Sequence, residues 1–394
     1  MNHSAKLLHG GQVLLESGKL EYCGVLYRSG RILDIQFDNR DAAPNAERID
    51  CTGKIVAPGL IDTHVHGALG RNFMEGSPDA VSAISGFMIK GGTTSCLATT
   101  ISANPMEIEN ALRGLLEAHR NPVPGQVEIL GTHLEGPFIS AVNPGAHIES
   151  NIRTVCDQEL NQILDTAQES LKVVTLAPET ANALNAASSF VHRGIHVSVG
   201  HTAADFEQTR SALRLGADRG THLFSGMPQI HHRKPGAVVA LLLDPSVFLE
   251  MTVDGKHFDP AIMELVLKIA GARRCVLITD GTDVRGLGDG RFRRWEGMEV
   301  IVQDGQSRTQ KGGLAGSMIS MSDAVKNLVQ MSIVPVGGAI RMASENPARS
   351  IGVFDRKGSI SPGKDADFVV FNPDFTVNMT IVRGDIAYKE ERLQ

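Results

Sequence analysis

The sequence predicts an α/β protein: a TIM-type (β/α)8 barrel with a small β-sandwich domain formed from both chain ends. Three observations predict this fold class. Eight short runs rich in β-branched residues alternate with helical patterns, as in parallel strands joined by helices. Histidines and carboxylates follow most of these runs, and the C-terminal ends of barrel strands are where active sites lie. Both flanks instead contain short strand-like segments separated by turn residues.

The two flanks are predicted to pair with each other. Neither has enough apolar residues to bury a stable core alone, so together they are expected to form one small sandwich beside the barrel. The predicted strands of the flanks are residues 12–15, 24–27, 32–37, 367–371 and 380–382. The predicted domains are 1–55 with 355–394 for the sandwich and 56–354 for the barrel.

Eight strand candidates follow one another through the central part of the chain. They are residues 56–65, 93–99, 127–134, 171–176, 194–199, 219–222, 247–253 and 275–279. The helix after the first strand is easily read: Ser77 is the expected N-cap, Pro78 the first helical residue, and Gly91 the stop signal. A barrel of this kind takes about 250 residues, which leaves a smaller attached domain in a chain of 394.

Composition excludes several classes of function. The net charge is −6 and no basic block occurs, so nucleic acid is not an expected partner. No signal-peptide pattern and no apolar run of roughly 20 residues is present, which predicts a cytoplasmic protein without a membrane segment. The five cysteines are scattered without any C-x-x-C spacing, so neither a disulfide framework nor a thiolate metal site is expected.

The end of the first predicted strand carries a metal-ligand pattern. In Asp62-Thr63-His64-Val65-His66 the two histidines are two positions apart, so on a strand they point to the same side. Imidazole suits zinc and iron, and Asp62 is a candidate carboxylate to orient one ring. A histidine pair beside a Gly-rich turn can also be merely hydrogen-bonded, so the interpretation depends on the other strand ends.

Those strand ends carry the same kinds of side chain. They are Glu135 after the third strand, His201 after the fifth, His222 after the sixth, His257 after the seventh and Asp280 after the eighth. Because the C-terminal ends of barrel strands surround one opening, these groups are expected to meet there. The sequence therefore predicts a divalent-metal hydrolase site, for which zinc is the expected ion and iron, cobalt or manganese accept the same ligands.

Quoted in order, the segments carry a family resemblance that covers nearly the whole chain. They are PGLIDTHVHG (58–67), HLEGPF (133–138), GHTAADFE (200–207), THLFSGM (221–227), DGKHFDP (254–260), LITDGT (277–282) and KGSISPGKDADFVVF (357–371). This set resembles the amidohydrolase superfamily and, within it, the family of N-acetylglucosamine-6-phosphate deacetylases. The resemblance implies metal-dependent deacetylation of an amino sugar 6-phosphate, most simply N-acetylglucosamine 6-phosphate, with the galacto epimer or another N-acyl compound as the alternative substrate.

The resemblance also implies roles for individual residues. Glu135, His201 and His222 match the principal metal ligands, and Asp280 matches the catalytic carboxylate and is also expected to contact the metal. His64 and His66 match the pair that allows a second metal bridged by Glu135, so one or two metals are expected per chain.

The remaining implied roles concern the substrate. His257 is expected to hydrogen-bond the carbonyl oxygen of the amide, and His147 a sugar hydroxyl. Arg233 matches an arginine that binds the phosphate from the partner subunit of a homodimer.

One departure from the family affects substrate choice. Relatives read Asn-Ala where this chain has Ser225-Gly226, beside the expected phosphate position. The loop after Asp280 is also more charged than the family pattern, because it contains Asp283 and Arg285.

Two other functions compete with the deacetylase interpretation. Cyclic-amide hydrolases bridge their metals with a modified lysine at the end of the fourth strand, but here Lys172 stands at the start of that strand. A catalytically inactive scaffold relative would have lost a ligand, whereas all expected ligands are present.

Overall fold

The computed structural model describes residues 4–37 and 43–391. Its centre is a sheet of eight parallel strands in sequential order, each hydrogen-bonded to the next. The strands are Leu60–Val65, Thr93–Thr99, Glu128–Glu135, Leu171–Leu176, His196–Val199, Arg219–Gly220, Phe248–Met251 and Cys275–Leu277. The sheet closes because the residues after the eighth strand bond to the first, with the Asp280 amide donating to the His64 carbonyl at 2.9 Å. The predicted barrel is confirmed.

Helices cover the outside of this barrel. The predicted first helix is confirmed: it spans Pro78–Lys90, and the Ser77 side chain caps it by accepting from the Ala80 amide. The other α-helices of the described residues are Pro105–Arg120, Asp157–Ala167, Ala183–His192, Phe206–Arg214, Gly236–Leu243, Pro260–Ala270, Met321–Gln330, Val336–Met342 and Glu345–Ser350. Within the described part of the chain, no helix has the length and apolar character needed to cross a bilayer.

The chain ends form two further sheets, as predicted. One contains Arg31–Gln36, Gly24–Arg28, Lys6–His9 and Glu47–Asp50. The other mixes both ends and contains Asp385–Lys389, Val377–Val382, Phe368–Phe371, Ile55–Pro58, Gln12–Leu14 and Leu20–Tyr22. Buried apolar side chains from both sheets, including Val25, Phe368 and Ile381, make their shared core. The limits of the predicted domains reach residues 1–3 and 392–394, which lie outside the described residues, and the boundaries near 55 and 355 stay a prediction.

One predicted strand was wrong in extent. Residues 56–65 are two strands, because Ile55–Pro58 pairs with Phe368–Phe371 in the sandwich and only Leu60–Val65 enters the barrel. Gly59 lies between them, and a Cβ there would come within 2.2 Å of the Thr94 hydroxyl. The apolar run is continuous because both strands are buried, so its pattern does not mark the change of sheet.

A three-stranded antiparallel sheet that the sequence did not predict, the hairpin insertion, follows the eighth strand. Its strands are Gly290–Arg293, Glu299–Gln303 and Gln306–Thr309. Residues of this insertion reach the C-terminal face of the barrel, where Arg294 and Leu314 line the same cavity as His66 and Asp280.

A buried ion cluster joins the barrel to the segment that leads into the sandwich strand Phe368–Phe371. The Lys357 ammonium lies 2.8 Å from Glu128 of the third strand and 3.2 Å from Asp365, and it also contacts Asp367. Its side chain is almost fully buried. Arg356 also lies 2.7 Å from both Glu128 and Asp365, so two cations balance the three carboxylates and stabilise this junction.

Candidate active site

Glu135 is the centre of the site at the C-terminal face of the barrel. It ends the third strand and is 2% exposed. Five imidazole Nε2 atoms surround its carboxylate. His222, His201 and His64 lie 3.1, 3.3 and 3.4 Å from Oε1, and His66 and His147 lie 3.2 and 3.4 Å from Oε2. Residues predicted from four strand ends thus meet at one carboxylate, joined by His147 from a loop.

Asp280 lies beside this group. Its Oδ1 is 3.4 Å from His66 Nε2 and 3.6 Å from His64 Nε2. Burial alone would raise its pKa, but the hydrogen bond from His66 and the nearby His64 and His222 lower it to about 2. Asp280 is therefore ionised at neutral pH and is able to accept a proton.

Three of these residues have an unusual backbone conformation. His201, His222 and Asp280 have φ angles of 45°, 23° and 48°. Such positive values cost a non-glycine residue roughly 1–2 kcal/mol and persist where the surroundings enforce them, often at functional sites. Each of the three residues stands just beyond a barrel strand, so the strain turns its side chain to the same centre.

The outer hydrogen bonds of two rings fix which nitrogen carries the proton. His64 Nδ1 donates to the Glu250 carboxylate at 2.9 Å, and His201 Nδ1 donates to the Asn143 carbonyl at 3.1 Å. Since these oxygens only accept, each ring in its neutral form keeps its proton on Nδ1 and has its lone pair on Nε2. In that form both lone pairs face Glu135, as expected of metal ligands.

Asp62 was expected to orient a histidine ring, and this expectation was wrong. Its carboxylate instead accepts from the Thr279 hydroxyl at 2.6 Å and from the Thr279 amide at 3.2 Å, so it ties the first strand to the eighth. Glu250 on the seventh strand takes the orienting role. Its second oxygen accepts from Arg219 at 2.8 Å, and both side chains are fully buried.

His147 has the opposite proton arrangement. The Ser102 amide donates to its Nδ1 at 3.2 Å, so the proton of the neutral ring is on Nε2. Burial lowers the pKa of His147 to about 4, which keeps the ring neutral. His147 therefore presents a hydrogen-bond donor towards the centre, which fits contact with an oxygen and not metal ligation.

A cavity of about 280 Å³ opens above these residues. His257, Ser225 and Gly226 line it, and their contact with a substrate stays a prediction. His257 Nδ1 lies 2.7 Å from the Asp254 carboxylate, which accepts its proton and leaves Nε2 available. Gly226 has a φ of +60°, and a Cβ there would come within 2.8 Å of His201 Nδ1, so glycine leaves room for the ring.

Arg233 does not join the site of its own chain. It is exposed, and its guanidinium contacts the neighbouring His232 at 2.7 Å. This position neither supports nor contradicts an action across a dimer, which stays a prediction.

The two charged side chains of the loop after Asp280 point in different directions. Arg285 turns away from the cavity and donates to the carbonyls of Ile319 and Gly67 beneath the loop. Asp283 faces the hairpin insertion, where its Oδ1 lies 3.4 Å from Nε of Arg294. Arg294 lines the cavity.

Glu250, Arg219 and Arg294 are side chains at the site that the sequence reasoning missed. A carboxylate and a guanidinium inside short, otherwise apolar buried strands are signals that could have found the first two, because buried charges need partners. Arg294 has no such signal, since it stands in an insertion among other arginines.

The chain was compared with known proteins. The sequence profile described as "Amidohydrolase family" matches residues 55–387. An N-acetylgalactosamine-6-phosphate deacetylase from Escherichia coli O157:H7 is 39% identical over 85% of this chain and 88% of its own length. An N-acetylglucosamine-6-phosphate deacetylase from Vibrio furnissii is 37% identical over 89% of this chain and 87% of its own.

Solved structures give the same result. A mutant N-acetyl-D-glucosamine-6-phosphate deacetylase from Mycobacterium smegmatis, solved in complex with N-acetyl-D-glucosamine-6-phosphate, superposes with a TM-score of 0.91. It is 32% identical and covers 98% of this chain and 100% of its own.

Proposed function

The chain belongs to the amidohydrolase family, and from this premise we propose that it deacetylates an N-acetylated amino sugar 6-phosphate. Water adds to the acetamide carbonyl, the carbon–nitrogen bond breaks, and acetate and the amino sugar phosphate are released. N-acetylglucosamine 6-phosphate is the substrate we propose first.

One observation carries the proposal. Glu135, with imidazoles on both of its oxygens, and Asp280 lie together at the floor of a cavity large enough for part of a sugar. Hydrolysis of an unactivated amide requires a nucleophile, a polarised carbonyl and a proton for the departing nitrogen. A metal held by these ligands would supply the nucleophile and polarise the carbonyl, and Asp280 would carry the proton.

The donor set fits a divalent metal. His64 Nε2 is buried and has no hydrogen-bond partner among the described residues, and His201 and His222 approach each other with Nε2 atoms 3.1 Å apart. Nitrogen and carboxylate donors that converge in this way suit zinc, and also iron, cobalt or manganese. Glu135, His201 and His222 would hold the principal ion, and His64 and His66 with Glu135 a second.

Asp280 is the proposed acid-base residue. A divalent metal bound beside it would supply a water that ionises near neutral pH and would polarise the amide carbonyl. The ionised Oδ1 of Asp280 accepts a proton from the attacking water and then donates it to the departing nitrogen. Such proton transfer contributes typically 10²–10⁴-fold to the rate.

Two further histidines are proposed to contact the substrate. His147 donates from Nε2 when neutral, as required for a bond to a sugar hydroxyl or carbonyl oxygen. His257 Nδ1 already donates to Asp254 at 2.7 Å, so a bond from His257 to the substrate must come from a second proton, on Nε2. With that proton in place, His257 would stabilise the negative charge that develops on the carbonyl oxygen.

The phosphate is proposed to lie near Ser225 and Gly226, with Arg233 of the partner subunit in a homodimer as its charged ligand. The Ser225 hydroxyl is able to donate one hydrogen bond, where relatives of the resembled family have an amide group. The homodimer and the cytoplasmic location both stay predictions.

The galacto epimer is the second candidate substrate. The Escherichia coli O157:H7 relative with 39% identity is described as acting on N-acetylgalactosamine 6-phosphate. Ser225, where this chain departs from the family pattern, lines the same cavity.

A substrate screen tests the proposal. Enzyme loaded separately with zinc, iron, cobalt or manganese is given both epimeric N-acetyl sugars, each with and without the 6-phosphate, and released acetate is measured. We expect turnover of a phosphorylated sugar that is lost on metal removal and regained on reloading. Full metal occupancy without turnover of any of these sugars would contradict the proposed reaction and favour a scaffold role or another N-acyl substrate.

A further inference from the structure

Arg294 is a buried guanidinium in the wall of the catalytic cavity. It follows the hairpin strand Gly290–Arg293, and its side chain is only 2% exposed. Thr282, from the loop after Asp280, and Leu314 line the cavity with it. An arginine at this depth requires partners for its five N–H groups.

The protein holds Arg294 from one side. Its Nε lies 3.1 Å from Glu296 and 3.4 Å from Asp283. Asp283 is itself fixed, because its other oxygen accepts from the Trp295 amide at 2.7 Å. The two contacts of Nε do not have hydrogen-bond geometry, so the two carboxyl groups hold the guanidinium by charge.

The terminal nitrogens of Arg294 are left without a partner. Within residues 4–37 and 43–391, the buried Nε of Arg294 has no hydrogen-bond partner and neither Nη atom donates a hydrogen bond. The side chain borders the cavity. Buried polar groups are almost always hydrogen-bonded in native proteins, so an unused fork beside a substrate cavity calls for a ligand atom. The fork donates only, and its partner must therefore be an acceptor.

Charge identifies the kind of acceptor. Two carboxyl groups, Asp283 and Glu296, lie within 3.4 Å of Arg294, against its single positive charge. A phosphate bound at this fork would lie beside both carboxyl groups. A hydroxyl oxygen carries no net charge, so it gains the hydrogen bond without that repulsion.

We propose that Arg294 is a specificity-determining residue whose guanidinium fork donates to a hydroxyl oxygen of the amino sugar and not to its phosphate. This inference rests on the proposed deacetylase function. Asp283 and Glu296 act as positioning residues that hold the fork. The charged loop after Asp280 thereby acquires a role in choosing the sugar.

The test pairs enzyme variants with substrate analogues. Wild type, Arg294→Met and Arg294→Lys are assayed on the preferred sugar phosphate, on its 1-, 3- and 4-deoxy forms, and on the unphosphorylated sugar. Arg291→Met is the matched control, because Arg291 is an exposed arginine of the same hairpin. Arg294→Lys keeps the positive charge beside Asp283 and Glu296. It is therefore expected to fold even if Arg294→Met does not.

We expect Arg294→Met and Arg294→Lys to lower kcat/KM on the full substrate about 10- to 100-fold, mostly through KM, which is the size of a lost charge-assisted hydrogen bond. With wild type, one deoxy analogue should have a kcat/KM as low as that of the variants on the full substrate. With either variant, that analogue should have the same kcat/KM as the full substrate. Removal of the phosphate from the substrate should lower kcat/KM by the same factor for wild type and for each variant. Arg291→Met should behave as wild type.

Other outcomes would overturn the inference. A loss in the variants that disappears on the unphosphorylated sugar would mean that Arg294 binds the phosphate. An equal loss on every analogue, without coupling to any hydroxyl, would mean a structural role. Failure of wild type to hydrolyse any amino sugar phosphate would instead overturn the proposed function, and this inference with it.

Discussion

Replacement of Glu250 by glutamine tests whether the hydrogen bond between His64 Nδ1 and Glu250 sets the metal-binding form of His64. Glu250 accepts on both sides: Oε2 takes hydrogen bonds from His64 Nδ1 at 2.9 Å and from the His222 amide at 3.2 Å, and Oε1 takes one from Arg219 at 2.8 Å. A glutamine has only one accepting oxygen. Its amino group must therefore face a donor on one side, either the His64 ring or the Arg219 guanidinium.

Both arrangements are costly. If the amino group faces His64, the ring must move its proton to Nε2, and it then has no lone pair for a metal. If it faces Arg219, a fully buried guanidinium loses its counter-charge, and breaking a buried pair costs about 3–5 kcal/mol. We expect metal affinity to fall roughly 10- to 100-fold, as is typical when an outer partner of a ligand is removed. The free energy of unfolding of the metal-free protein should fall by a few kcal/mol.

The measurement is metal content after dialysis against graded chelator, together with denaturant unfolding of the metal-free protein. His64→Gln is the comparison, since it removes the ligand itself and should empty the second site while the principal site survives. Glu179→Gln is the control, because Glu179 accepts from the Thr202 hydroxyl and the Ala203 amide and contacts no histidine of the site. If His64→Gln loses one metal while Glu250→Gln keeps wild-type metal content and stability, the orienting role of Glu250 is refuted.

Three further changes test other parts of the molecule. Asp280→Asn keeps the shape but not the proton-accepting oxygen, so turnover should fall roughly 10²-fold or more with metal content unchanged; a near-normal rate at full occupancy would remove Asp280 from the mechanism. Arg233→Ala should lower kcat/KM on the phosphorylated sugar roughly 10- to 1,000-fold, and mixing these chains with Asp280→Asn chains should restore some activity in heterodimers; proven heterodimers without recovery would exclude an action across subunits. Lys357→Met leaves the buried Asp367 without its Lys357 cation, while Arg356 still pairs with Glu128 and Asp365, and it should cost about 3–5 kcal/mol of unfolding free energy, measured with denaturant at constant pH, whereas the exposed Lys268→Met should cost little.

The sequence by itself determined the fold class and the chemical character of the site. Alternation of strand and helix patterns is a local property, and it located all eight barrel strands within a few residues. Because parallel barrel strands share one end, the order of strand-end residues was enough to predict that His64, His201 and Asp280 meet. Both results follow from periodicity along the chain and from one rule about barrels.

Only the tertiary structure decided how the site is held and tuned. Glu250 is 186 positions from His64, and no local pattern encodes which carboxylate meets which ring; the sequence favoured the nearer Asp62, which instead binds Thr279. The proton positions on His147 and His201 depend on Ser102 and Asn143, which belong to distant loops. Arg294 enters the cavity only because an insertion folds over the barrel face. Contacts of this kind are set by side-chain packing in three dimensions, where residues far apart in sequence become neighbours, and for that reason they are absent from any periodicity of the chain.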